Sequence, residues 1–244
     1  MGIEDLTQLE IVHGSTSLAY AIVGIITGVI IAYKGYKSQQ KEILTVGISM
    51  TISRASLLSA GISFLTFILF DFILPDTLYF FITYGTSGFG LVIWMYAMSK
   101  FLFPKHTKKV VLLYTSTQIL YETLLIISLF VAPIMTFKKE GLFDASCGPI
   151  VLLFVIYGFI SLLVTMIWFI RDCLKSESLN TKWRGRLLLI STLLNISGIL
   201  LDAIALTPVF LLVIRIILIV GFLINYFGWL LPKRVANWLI KENK

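Results

Sequence analysis

Four ionisable residues interrupt stretches of sequence that are otherwise apolar: Arg54, Glu122, Asp202 and Arg215. A charge inside a membrane is costly, so it faces a bundle interior or a watery cavity, pairs with an opposite charge, and marks a ligand or proton path. The chemistry open to these four is ion pairing, recognition of a charged ligand and, for Glu122, proton carriage. At 1.5 Å per helical residue, Arg54 lies about 15 Å and Glu122 about 18 Å from the same end of the bundle. An Arg54–Glu122 pair near mid-membrane is therefore expected. Asp202 closes one apolar stretch and Arg215 lies two turns into the next. Only residues 206–210 connect the two stretches, so they should run antiparallel side by side and pair these charges.

Uncharged polar residues share faces with these charges. Ser191, Asn195, Gly198 and Asp202 follow one helical stripe, and Tyr114, Gln118 and Glu122 another. Tyr157, Ser161, Thr165 and Trp168 form a third. Two readings stay open. The faces enclose a cavity where a ligand bridges Asp202, Arg215 and Tyr157, or they are interhelical hydrogen bonds of about 0.6 kcal/mol each that hold a bundle together. Gly24 and Gly28, and the cluster Gly85, Gly88 and Gly90, read as sites of close helix approach.

Catalysis is not expected. The two histidines, His13 and His106, fall on opposite sides of the membrane and cannot share a metal or a haem, and the same holds for Cys147 and Cys173. No P-loop, HExxH or GxSxG motif is present, and the last apolar stretch holds no lysine for a retinal Schiff base. The chain is read as a non-enzyme without cofactor or metal.

The elements that must position these residues are helices in lipid. The sequence is 58% hydrophobic and 14% charged, with mean hydropathy +0.94, where a soluble domain carries about a quarter charged residues. Seven stretches of 20 to 27 residues suit helices crossing a core of about 30 Å. They are Ile11–Tyr33, Leu44–Phe70, Leu78–Ser99, Val110–Ala132, Pro149–Ile170, Leu187–Leu206 and Pro208–Leu231. Prolines sit at the ends of these stretches or between them, so the helices should be intact. The fold class is all-α, an integral membrane bundle over 1–232. A tail at 233–244 follows, in which Val235, Trp238 and Leu239 fit a short amphipathic helix on the inner leaflet.

Charge sets the expected orientation. Sixteen Lys and Arg lie in the connections on one side and the tail (34–41, 100–109, 171–186 and 233–244), against Lys138 and Lys139 alone on the other. Positive loops stay cytoplasmic, which puts the N-terminus outside and the C-terminus inside a multi-pass cell-membrane protein. Topology and lipid headgroups account for the +7 charge, so nucleic acid is not an expected partner. The acidic opening MGIEDLTQLE does not read as a cleaved signal peptide.

The run Arg184–Ile190, RGRLLLI, taken with Asn225–Leu239, NYFGWLLPKRVANWL, resembles the seven-helix membrane regions of prokaryotic sensor proteins of the histidine-kinase-associated type. That resemblance covers about a quarter of the chain. It implies a receptor-like or sensor-like protein binding a small or lipidic ligand from the outer side. Nothing after Trp238 could form an output domain, so signalling would pass to a separate cytoplasmic partner at Arg171–Arg186 and the tail. Asp202 and Arg215 would anchor the ligand, with Arg54, Glu122, Gln118, Asn195 and Tyr157 as the surrounding network. The alternatives are a small proton-coupled transporter using Glu122, or an accessory subunit of a membrane complex. Oligomeric state is not legible.

Overall fold

A computed structural model describes residues 4, 6–53, 55–139, 141–202 and 207–241. It begins with α1 (Gln8–Lys37), whose start is fixed by a capping box. The Glu10 amide donates to Thr7 Oγ1 at 3.3 Å, while the Thr7 amide donates to Glu10 Oε2 at 2.9 Å. These bonds satisfy amides that the first turn would otherwise leave open. Then follow α2 (Lys41–Ser53), α3 (Ala55–Phe70), α4 (Asp76–Phe80), a π-helical turn (Phe81–Gly85), α5 (Ser87–Leu102) and α6 (Thr107–Val131). A two-stranded hairpin, β1 (Phe137–Lys139) with β2 (Ala145–Cys147), precedes α7 (Pro149–Lys175), α8 (Leu179–Asp202), α9 (Pro208–Leu230) and α10 (Lys233–Lys241).

Six of these helical units are long and apolar enough to cross a membrane, or seven when α2 and α3 count as one span. Their outward faces carry Leu120, Phe130, Leu153, Ile167, Leu193 and Val209, all exposed. A continuous apolar exterior of this kind is stable against lipid tails and not against water. The chain is an all-α bundle built as a multi-pass membrane protein.

The expectation of intact helices is corrected at two places. The second stretch bends by 50° between α2 and α3. No proline causes this. Just before the bend, Thr51 Oγ1 donates back to the Gly47 carbonyl at 2.9 Å and Ser53 Oγ to the Ser49 carbonyl at 2.8 Å, bonds of a kind that accompany bent helices. The third stretch contains the π turn, where Thr83 Oγ1 and Thr86 Oγ1 donate to the Tyr79 and Ile82 carbonyls four residues back. π turns of this kind recur beside functional sites.

The spans close into a ring. α1 packs on α2, α3 and α9; α2 packs on α5, α5 on α7, α7 on α8 and α8 on α9, with α6 against the outside of α5. The tightest seam is α1 against α2, where a Cβ on Gly28 would meet the α2 backbone at Thr51 and one on Gly47 would meet Ala32. Only glycine permits that approach. Near the basic end of the ring, Trp229 stacks on Phe169 at 5.1 Å and meets Trp94 edge-on at 6.1 Å. This aromatic layer fills the centre there.

Candidate functional site

At the opposite end, α8 ends on Asp202 and α9 carries Arg215. Thr207 caps α9 by accepting from the Phe210 amide, and Pro208 starts the helix with its φ already fixed. This geometry brings Arg215 Nη2 to 3.1 Å from Asp202 Oδ2. The arginine side chain is 2% exposed and the aspartate 26%. Arg215 Nε and Nη1, and Asp202 Oδ1, are buried with no hydrogen-bond partner among the described residues. A buried donor left open loses about 1–3 kcal/mol of hydration without return. The ion pair is therefore the most polar, least satisfied group among the described residues at this end of the bundle.

Asp202 and Arg215 help to line a cavity of about 220 Å³. α1 contributes His13, the third span Tyr79, Thr83 and Tyr84, the hairpin Asp144, and α9 Leu211 beside Arg215. His13 lies within electrostatic range of Asp144, Asp202 and Arg215, so four ionisable groups share one space. The walls are held by hydrogen bonds. Tyr79 Oη donates to the Phe143 carbonyl at 2.9 Å, Tyr121 Oη donates to the Tyr84 carbonyl at 3.3 Å, and Cys147 Sγ donates to Tyr84 Oη at 3.1 Å. Burial pushes the Cys147 thiol above its ordinary range, opposed by the hydrogen bond that Tyr84 Oη can donate to the thiolate.

The hairpin forms the roof. Phe143 is 1% exposed and fits edge-on between Phe64 at 5.4 Å and Phe67 at 6.0 Å. Phe137 stacks on Phe80, and Lys139 pairs with Asp76 at 2.6 Å. Asp144 therefore hangs into the cavity next to a residue wedged firmly in the wall.

The other expected residues lie elsewhere. Arg54 is outside the described residues, so its expected pair with Glu122 is not placed. Gln118 Nε2 donates to Glu122 Oε1 at 2.6 Å, and Gln118 lies against Gly88 where any Cβ would collide. Tyr157 is not among the described residues that line this cavity. It stacks on Tyr114 at 5.5 Å, whose hydroxyl donates to Ser161 Oγ at 2.9 Å. Asn195 lines a second, central cavity of about 170 Å³ with Ser49, Ser53, Trp94, Thr192 and Asn225. The expected polar faces form hydrogen bonds between helices and also leave space between them. Trp94 Nε1 to Thr165 Oγ1 at 3.0 Å and Asn225 Nδ2 to Ser191 Oγ at 3.0 Å tie helices together, and two cavities remain between them.

Sequence reasoning missed the vestibule role of His13, Asp144, Tyr79 and Tyr84. For Asp144 the available signal was its place directly after the apolar pair Leu142-Phe143 in the connection between two spans. No protein-family model matches the chain, and no curated protein is similar to it in sequence.

Proposed function

We propose that this chain is a receptor-like or sensor-like membrane protein of seven spans. Its N-terminus is outside, and it binds a small or lipidic ligand in the vestibule beneath the hairpin. The observation that carries this reading is the buried Arg215–Asp202 pair in the wall of a cavity, with three of its polar atoms unpartnered among the described residues. Such a site suits a group that accepts from Arg215 and donates to Asp202. The cavity is below the range of about 300–1,000 Å³ typical of larger ligands, so it fits a small polar molecule or the head of a lipidic one. Binding is transmitted to a separate cytoplasmic partner at Arg171–Arg186 and the tail. The spans most easily rearranged are the bent second and the π-turned third, and both line the vestibule through Leu57, Thr83 and Tyr84.

The test is a thermal-stability screen of the purified protein against small zwitterions, carboxylates and amphiphiles, repeated on Asp202→Asn and Arg215→Gln. A stabilising compound whose effect disappears in both variants supports the reading. Variants that match wild type in both stability and response overturn it. A second reading, a proton-coupled carrier using Glu122, is favoured by the same bend and π turn, since carriers bind substrate at interrupted helices. Uptake into liposomes that follows an imposed pH gradient and is lost in Glu122→Gln would select it.

A further inference from the structure

The basic end of the bundle carries a third pocket, of about 340 Å³, at the opposite end from the vestibule. Lys34 and Lys37 come from the last turn of α1, Ser38 and Gln40 from the turn to α2, Arg184 from α8 and Trp229 from α9. Among the described residues no carboxylate lines it. Lys34 Nζ donates to Tyr226 Oη at 3.2 Å and keeps two further N–H groups. The lysines alone have a plain explanation, because cations in a last turn complement the helix dipole. That explanation does not reach the other two donors. Arg184 Nε and Trp229 Nε1 are both buried without a partner among the described residues. Trp229 is 3% exposed, and its ring is fixed by Phe101, Phe169 and Trp94, so it cannot turn its N–H elsewhere.

We infer that this pocket binds a phosphate-bearing anion, held by Arg184 and Trp229 Nε1 at its floor and by Lys34 and Lys37 at its rim. Arginine, lysine and indole donors converging without an acid form an anion site. Its place at the end of the spans, walled on one side by Ile43 and Leu230, suits an anionic phospholipid headgroup entering from the leaflet. Free phosphate offers the same chemistry from solution.

The experiment measures binding to purified protein in neutral detergent by thermal shift and tryptophan fluorescence. The probes are dioctanoyl phosphatidylglycerol, dioctanoyl phosphatidylcholine and inorganic phosphate, at matched ionic strength. Phosphatidylglycerol is expected to bind and stabilise, phosphatidylcholine to do so much more weakly, and Lys37→Gln and Arg184→Gln each to weaken binding roughly fivefold. Trp229→Phe keeps the aromatic layer and deletes one N–H, so it should weaken binding while elution and unfolding stay as in wild type. Inorganic phosphate acting alone, with the same sensitivity to the variants, supports the site and assigns it to a soluble ligand. Equal response to both lipids, or binding unchanged in Lys37→Gln and Trp229→Phe, overturns the proposal. Lys37 is exposed, so that variant reports even where Arg184→Gln fails to fold.

Discussion

At the scale of single residues, the vestibule is defined by one unequal pair. Arg215 is buried and Asp202 partly open, so removing the acid strands a cation in low dielectric while removing the arginine lets the acid turn toward the cavity. Breaking a buried pair by losing one partner costs about 3–5 kcal/mol. Arg215→Gln should fall below that and Asp202→Asn should approach it. The Asp202→Asn/Arg215→Gln double variant should lose less than the sum, read as unfolding midpoints in a double-mutant cycle. Cys147 gives a second prediction. Its thiol is held protonated by burial, and a raised pKa means less thiolate at any given pH. Maleimide labelling should lag a free cysteine at neutral pH and rise only as the solution becomes alkaline; Tyr84→Phe, which removes an opposing hydrogen bond, should slow it further.

At the scale of elements, the legible part of the site was the part set by short connections. Asp202 and Arg215 meet because few residues separate their helices, and the sequence states that directly. Tyr157 was expected beside them because it lies on a polar stripe. A stripe records which face of a helix is polar but not which neighbour it meets, and α7 turns that face to Tyr114 and Trp94. The bend in the second span was hidden for a different reason, since serine and threonine back-bonding leaves no proline to read. The hairpin was invisible as a roof because its two short strands gain their position from Phe143 packing, a tertiary effect. Phe143→Ala should therefore detach the roof before it unfolds the bundle. Cleavage in the 136–148 connection should accelerate many-fold in limited proteolysis, with the unfolding midpoint of the helices little changed. At the α1–α2 seam the order reverses. Gly47→Leu forces a side chain into the α1 backbone at Ala32, so loss of the folded bundle, read as aggregation on size exclusion, is the expected result.

At the scale of the whole molecule, charge and shape agree. The apolar belt, the basic end with its aromatic layer and the opposite end with its roofed vestibule give the bundle two chemically distinct faces. In a background of Cys147→Ser and Cys173→Ser, Lys138→Cys should react with an impermeant maleimide on intact cells, and Glu177→Cys only after permeabilisation. The reverse pattern would invert the proposed orientation. The central claim is that the Arg215–Asp202 pair is completed by a bound molecule, and the most direct measurement is an experimental density map of the protein purified in lipid. Non-protein density is expected within hydrogen-bond distance of Arg215 Nε or Nη1 under the hairpin, lost in Arg215→Gln. A collapsed vestibule in which protein side chains satisfy both nitrogens and Asp202 Oδ1 would contradict it.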